Sequence, residues 1–421
     1  MKTLVLNVRE NKEVPFLRGI LIGSLLDAGL SFEKAMELAT IVRNELADTN
    51  RVTSEVLQER VALLLKERFD EQLVEQYCSP AVVHSRIHVI CREGIVSAFS
   101  RGQHARYLQS TGMKAEKAES ATEMIHARLI ATGVTDISST KLAYLTYLYL
   151  LQEVGKKSAK RYLVWMEFRQ SNKPLALLIG GSVAAGKSTV ATEVAHLLEI
   201  VRIQSTDMLR EVMRMMVPER LLPILHTSSF NAWKTLPIQS DKKRTQDVLV
   251  AEGYRSQAEL LAVPCEAILQ RAVEESVPVI LEGVHVHPNL LNLASDDSEI
   301  ITVYVMLGVL KSKQLKSRLL GRGQDVPQRR ADKYLNSLDS IWSLQSYLLS
   351  EADRYDVPII TTPDRDKALL QVVQQVNVEL AKHFNGTPSK VLGSVMNEFG
   401  QEGSPPPWHE LAPLMQVDPV Q

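Results

Sequence analysis

An unbroken apolar run over residues 175–180 passes directly into Gly181-Ser182-Val183-Ala184-Ala185-Gly186-Lys187-Ser188-Thr189. A run without polar alternation suits a central parallel strand covered on both faces. The string after it fits G-x-x-x-x-G-K-[ST]. In such a loop the backbone N–H groups turn toward phosphate oxygens, glycine avoids Cβ clashes, and the following helix adds the positive end of its dipole. Lys187 is placed to reach the β- and γ-phosphates, and the Ser188 hydroxyl to ligate magnesium. Gly181 to Thr189 are therefore the expected ATP loop, with Mg2+ as its companion. The alternative is a Gly-rich turn without a ligand. Against it stand the strand before and the helix after, whose inner face is Val190, Val194, Leu197 and Leu198.

Four more apolar runs, at residues 200–204, 277–281, 300–306 and 357–361, alternate with helical patterns. That alternation predicts an α/β domain over residues 172–384, built on a parallel sheet with right-handed crossovers. Functional groups then belong at the C-terminal ends of the strands. Two acids stand there. Asp207 follows the second strand, where it would take a proton from, or orient, an attacking hydroxyl; the rival reading is a cap on the next helix. Glu282 ends the third strand, in position to hold magnesium through its water shell, or else sits on a surface loop. His285 and His287 are two residues apart with no third ligand nearby, a weak basis for a metal pair. Basic residues gather after the fourth strand: Lys311, Lys313, Lys316, Arg318, Arg322, Arg329 and Arg330. Gly321 and Gly323 interrupt this run where a kinase carries its lid. Arg318 and Arg322 are the choices for the transferring phosphoryl group, where charge builds up. Arg329 and Arg330 are assigned to the acceptor's phosphate or to the surface.

The N-terminal part repeats itself. A shift of 83 positions pairs Arg9-Glu10 with Arg92-Glu93, Phe16 with Phe99 and Arg18-Gly19 with Arg101-Gly102. It also pairs Leu25 with Leu108 and Glu33-Lys34-Ala35 with Glu116-Lys117-Ala118. After a two-residue slip, Ser54, Leu57 and Leu65 meet Ser139, Leu142 and Leu150. Identities held in one register mark a duplication. Each copy reads as a short hairpin, at residues 4–16 and 87–99, followed by helices. This plan, with Val8-Arg9, Val14-Pro15-Phe16, Leu30-Ser31 and Val52-Thr53-Ser54, resembles the ATP-cone, a small nucleotide-sensing domain. The resemblance implies regulatory modules at residues 1–79 and, more diverged, 80–156, with a nucleotide effector. The alternative is a tandem helical scaffold that binds nothing.

Ser205-Thr206-Asp207-Met208-Leu209-Arg210-Glu211, the stretch from Leu222 to Trp233, and Ile280-Leu281-Glu282-Gly283-Val284-His285 extend the loop signature. Together they resemble the 2-phosphoglycerate kinase family, P-loop kinases preceded by an ATP-cone. The resemblance implies ATP-dependent phosphorylation of the free hydroxyl of 2-phosphoglycerate. Asp207 would serve that hydroxyl, Arg210 and Arg214 would hold an anionic substrate, and His226, Thr227, Ser228 and Ser229 would line its pocket. Solvent exposure is the alternative for both arginines. Plant proteins connected with phytic acid share the kinase resemblance, so an inositol phosphate or other phosphorylated polyol is the alternative acceptor. A non-catalytic nucleotide-responsive regulator is the other reading, disfavoured by Asp207 and the arginine-rich lid.

Lys plus Arg is 48 and Asp plus Glu is 49, a balance that argues against a nucleic-acid coat. Three cysteines without metal-ligand spacing argue against a disulfide framework. No apolar run approaches the ~20 residues of a membrane span, and residues 1–10 do not resemble a secretion signal, so a cytoplasmic enzyme is expected. Breakers such as Asn385-Gly386-Thr387-Pro388 and Gly403-Ser404-Pro405-Pro406-Pro407 predict a disordered tail over residues 385–421.

Overall fold

The computed structural model describes residues 3–7, 12–16, 18–28, 30, 32–46, 49–69, 73–74, 77, 87–91, 93–237, 244–288, 299–325, 334–362, 364–393 and 395–396. The chain divides into two compact units, Met1–Ile87 and His88–Gln421.

In the first unit, β1 (Leu4–Asn7) pairs antiparallel with β2 (Lys12–Pro15), and helices α1 (Arg18–Asp27) and α2 (Phe32–Glu45) follow. The strand β3 (Arg51–Thr53) then returns parallel to β1 and leads into α3 (Ser54–Arg68). Thr53 caps that helix, its hydroxyl accepting from the Val56 N–H at 3.3 Å, which satisfies one of the helix's orphan donors. Leu25, Ala35, Leu38, Val42, Val61 and Leu65 form the core.

The second unit opens with the same plan. The hairpin β4 (His88–Ile90) and β5 (Val96–Ala98) precedes α4 (Arg101–Ser110) and α5 (Ala115–Ala131). The strand β6 (Asp136–Ser138) pairs parallel with β4 and runs into α6 (Ser139–Tyr149). Both ends of α4 lie 83 positions beyond those of α1, and both ends of β6 lie 85 beyond those of β3. Ser138 repeats the Thr53 cap, accepting from the Lys141 N–H at 3.2 Å. The buried pairs Leu25 and Leu108, Ala35 and Ala118, and Leu65 and Leu150 coincide. The parallel strands β3 and β6 are absent from the sequence reading; three residues are too few to display a period.

The second copy is packed into the sheet domain. Ser110 Oγ donates to the Leu197 carbonyl at 3.1 Å, and Asn377 Nδ2 donates to the Ser110 carbonyl at 2.8 Å. Helix α7 (Lys156–Ser171) sends Val164, Trp165 and Phe168 into one core with Leu175, Leu177 and Ile179.

The sheet follows: β7 (Leu175–Gly181), α8 (Lys187–Leu198), β8 (Arg202–Ser205), α9 (Thr206–Met216), α10 (Gln246–Glu274), β9 (Val279–Gly283), β10 (Ile301–Gly308), α11 (Ser312–Asp325), α12 (Leu338–Arg354), β11 (Ile359–Thr361) and α13 (Arg365–His383). The five strands lie in the order β11-β10-β7-β9-β8, all parallel. Each coincides with one of the five apolar runs. All seven residues of β7 are buried. Leu175, Leu177 and Ile179 face one core, and Ala176 and Leu178 the other, as the period of two demands.

The tail expectation needs correction at its start. Pro388–Leu392 forms a short helix, α14, with Val391 and Leu392 buried. The buried Glu167 carboxylate accepts from the Gly386 N–H at 2.7 Å and pairs with Lys390 at 2.7 Å. A buried acid needs such partners, so the Gly and Pro here mark a turn against α7. Residues 397–421 lie outside the described residues.

Candidate active site

The phosphate loop leaves β7 at the centre of the sheet. Gly181 has φ 143°, and a Cβ there would meet the Leu307 carbonyl oxygen at 2.5 Å, so glycine is required. Ala184 adopts φ 63°, a left-handed conformation costing an L-residue roughly 1–2 kcal/mol. Lys187 is buried at the start of α8 and donates from Nζ to the Ser182 carbonyl at 3.0 Å. Ser188 Oγ donates to Glu282 Oε1 at 3.0 Å, joining the loop to the end of β9. Glu282 is itself buried, so the surface-loop alternative does not hold. Hydroxyl and carboxylate oxygens side by side form a donor set that fits a hard cation such as magnesium.

Asp207 is the second residue of α9. Ser205, not Asp207, precedes the helix, so the cap reading of Asp207 is set aside. Arg210, one turn on, donates from Nη1 to the Leu225 carbonyl at 2.9 Å and the Thr227 carbonyl at 3.1 Å. It also pairs with Glu211 at 2.8 Å, so it is largely withdrawn from solvent and holds the turn Pro223–His226. Arg214 pairs with Glu211 at 3.1 Å and stays more open. His226 Nε2 donates to the Val217 carbonyl at 2.9 Å. A cavity of about 460 Å³ brings Lys187, Ser188, Asp207, Arg210, Arg214, His226, Thr227, Ser228, Ser229 and Glu282 onto one surface. Its size suits a small substrate. Asp207 and Lys187 therefore line one cavity.

Twenty-eight to thirty-four per cent identity links this chain to a set of known kinases. A "2-phosphoglycerate kinase" of Pyrococcus horikoshii is 34% identical over 278 residues, 66% of this chain and 89% of that protein. The Pyrococcus furiosus protein of the same name is 34% identical over 300 residues, covering 70% and 96%. That of Methanopyrus kandleri is 32% identical, covering 71% and 89%. The chain belongs to the 2-phosphoglycerate kinase family. It is a phosphotransferase. No family model matches it. A crystal structure of an uncharacterized protein from Eubacterium ventriosum aligns over 49% of the chain with a TM-score of 0.26, too low to carry an argument.

Other expected groups of this kinase are placed differently. Arg318 lies on α11 and is half-buried, and it does not line the cavity. Its Nη1 donates to Thr362 Oγ1 at 2.8 Å and to the Ala184 carbonyl at 3.3 Å. Burial lowers its pKa. Arg318 thus grips the phosphate loop at its strained residue instead of standing free over the cavity, because Leu315 and Leu319 on the same helix face are anchored in the core. Lys311, Lys313 and Lys316 are exposed. The Arg322 side chain, and Arg329 and Arg330 entirely, lie outside the described residues.

The two histidines turn to different partners. Among the described residues no group of three or more His, Cys, Asp or Glu could hold a metal ion. His287 stacks on Tyr347 and faces Glu351 at 3.5 Å. His285 turns toward Thr206 and Gln257 instead. Burial pushes both imidazoles down to about 4. Sequence reasoning missed two buried amides. Gln345 exchanges hydrogen bonds with the Val309 N–H and carbonyl. Gln257 sits fully buried on the apolar face of α10 beside Tyr254, Ala258 and Leu261. A glutamine inside a hydrophobic stripe was the available signal.

Proposed function

We propose that this kinase transfers the γ-phosphoryl group of ATP to the free hydroxyl of 2-phosphoglycerate, giving 2,3-bisphosphoglycerate and ADP. The observation that carries this reading is the single cavity joining Lys187 and Ser188 to Asp207, Arg214 and the turn at His226–Ser229. The acceptor is a carboxylate and phosphate dianion or more, and cationic groups beside a reactive hydroxyl site are the requirement for binding it. The kinases it resembles carry the same substrate in their names.

In this reading the loop amides and Lys187 hold the triphosphate and neutralise charge on the group in transfer. Ser188 and Glu282 would hold Mg2+, which supplies further charge neutralisation when bound. Asp207 orients the acceptor hydroxyl. As oxygen attacks the γ-phosphorus, the bond to the β,γ-bridging oxygen breaks, ADP leaves, and the hydroxyl proton passes to the Asp207 carboxylate. Arg214 faces the acceptor's own anionic groups, and Arg210 holds the turn beside it. Arg318 fixes the loop, and Arg322 is the residue of choice for the lid.

Regulation by nucleotide at the N-terminal modules, residues 1–79 and 80–156, belongs to the same reading. What supports it is a cavity of about 410 Å³ between the second copy, at Phe99, His104 and Tyr107, and α7, at Tyr162 and Arg169. Aromatic faces and a guanidinium suit a base and its phosphates. Among the described residues no helix is long and apolar enough to cross a membrane.

The test is an acceptor screen with labelled ATP across 2-phosphoglycerate, 3-phosphoglycerate and inositol phosphates. Transfer to 2-phosphoglycerate in preference to the others is the expected result. Faster transfer to an inositol phosphate would reassign the acceptor, and ATP binding without any acceptor-dependent turnover would return the protein to the regulator class.

A further inference from the structure

A buried chain of hydrogen bonds ties the segment that carries Asp207 to the opposite wall of the acceptor pocket. Gln257 Nε2 donates to the Ile224 carbonyl and, at 3.2 Å, to the Thr227 carbonyl. Both partners accept only, so the amide orientation is fixed and Oε1 must face His285. His285 Nε2 lies 2.9 Å from that oxygen and therefore carries the ring proton. Nδ1 is then an acceptor, and Thr206 Oγ1, 3.2 Å away, donates to it. One neutral tautomer satisfies every group.

The chain is dry and held from all sides. Gln257 and Thr206 are fully buried and His285 is nearly so. The Tyr254 ring stacks on His285, with centroids 6.4 Å apart. Gly283, at φ 155°, allows the close approach: a Cβ there would fall on the Thr206 hydroxyl. The imidazole also lies within electrostatic range of Asp207, Arg210 and Lys187, and burial keeps it neutral.

We propose that Gln257 and His285 are positioning residues for the acceptor: they set the turn at residues 223–227 in register with Thr206, and hence with Asp207 beside it. Neither touches the reacting atoms. Arg210, one turn further along the helix of Thr206 and Asp207, grips the same turn through Leu225 and Thr227, and His226 ties it to the Val217 carbonyl, so loss of Gln257 loosens the turn without freeing it. The consequence is selective. Nucleotide contacts on the phosphate loop are made by other residues, so the defect falls on the acceptor.

This inference rests on the 2-phosphoglycerate reading for its kinetic arm and on the ligand-free enzyme for its spectroscopic arm. Gln257→Met keeps the side-chain length but removes the amide. It is expected to raise the KM for 2-phosphoglycerate about tenfold, the worth of buried hydrogen bonds left unmade, and to leave the KM for ATP within about twofold. Thr206→Val, which breaks the other end and preserves shape, is expected to move the same constant in the same direction by about threefold. A folded variant with an unchanged acceptor KM, or one in which both KM values rise alike, overturns the proposal. In parallel, 15N-histidine spectra of the ligand-free wild-type enzyme at neutral pH are expected to show His285 protonated on Nε2 alone. A proton on Nδ1 overturns the chain whatever the acceptor is. Wild-type enzyme that ignores 2-phosphoglycerate yet shows the Nε2 tautomer would sink the functional reading and leave the geometry of the chain standing.

Discussion

At the phosphate end of the cavity the residues from Gly181 to Thr189 come from one turn of chain, whereas the acceptor end is assembled from α9, the turn at 223–228, α10 and the end of β9. Lys187 and the Ser182 carbonyl that it meets are five residues apart; Thr206 and His285 are separated by 79. In the proposed reading the first end would work through backbone amides and a helix terminus, which any chain forms once it adopts the loop conformation. The second works through side chains whose contacts exist only after the sheet has closed. The phosphate end is therefore announced by spacing, while the acceptor end shows itself only as scattered polar residues.

That contrast can be broken most severely at Lys187. Lys187→Ala is expected to lower phosphoryl transfer by roughly 10³-fold or more, measured with labelled ATP, in an enzyme whose circular dichroism is unchanged. An active Lys187→Ala enzyme would show that the phosphate end does not neutralise the transferring group. Asp207→Asn comes next, with kcat lower by about 10²–10⁴-fold and ATP affinity retained in calorimetry. Full turnover in that variant would remove Asp207 from the chemistry and leave it as a pocket wall.

Acidity separates the two ends more gently. His285 is held near 4 against an ordinary value of 6.5, so the unfolded chain takes up a proton first as pH falls. Its contribution to stability is complete above pH 6.5 and drains away between pH 6.5 and 4. The denaturation midpoint in urea should fall across that window. His104 in the second copy, also near 4 through burial, adds to the same slope, so His285→Gln should flatten it in part. A slope identical in the variant would mean that His285 is already protonated in the folded enzyme.

The smallest expected effect is at Ala184. Ala184→Gly relieves the left-handed strain and should raise stability by roughly 0.5–1 kcal/mol in the same assay. A loss would mean that the methyl group, packed with Val309 and Phe230 in one cluster, contributes more than the strain costs.

The same division runs through the rest of the molecule. The central strands β7, β9 and β10 are legible because burial on both faces leaves a continuous apolar run, whereas the edge strands β8 and β11 are more exposed and carry a weaker mark. The duplication was legible because identities such as Arg18-Gly19 and Arg101-Gly102 hold one offset, and the helices α1 and α4 keep it. The strands β3 and β6 were not legible: their existence depends on the edge that β1 and β4 offer. The sequence expectation aims Arg318 at the transferring phosphoryl group; its helix face is not legible there, and packing of Leu315 and Leu319 turns it onto the Ala184 carbonyl. The first part of the tail is not legible because Gly386 and Pro388 suit a packed turn as readily as an unstructured segment. Only the buried Glu167 decides between them.

By itself the sequence determined the phosphate loop, the parallel sheet that presents it and the repeat that precedes it, because each is written in neighbouring residues or in a constant offset. Tertiary structure alone decided which way Arg318 faces, that Glu282 meets Ser188, and that Gln257 and His285 join the acceptor wall to the helix of Asp207. Those contacts bring together groups far apart in the chain. Their energy comes from burial of polar atoms that must find partners, and no local pattern of residues encodes which partner that will be.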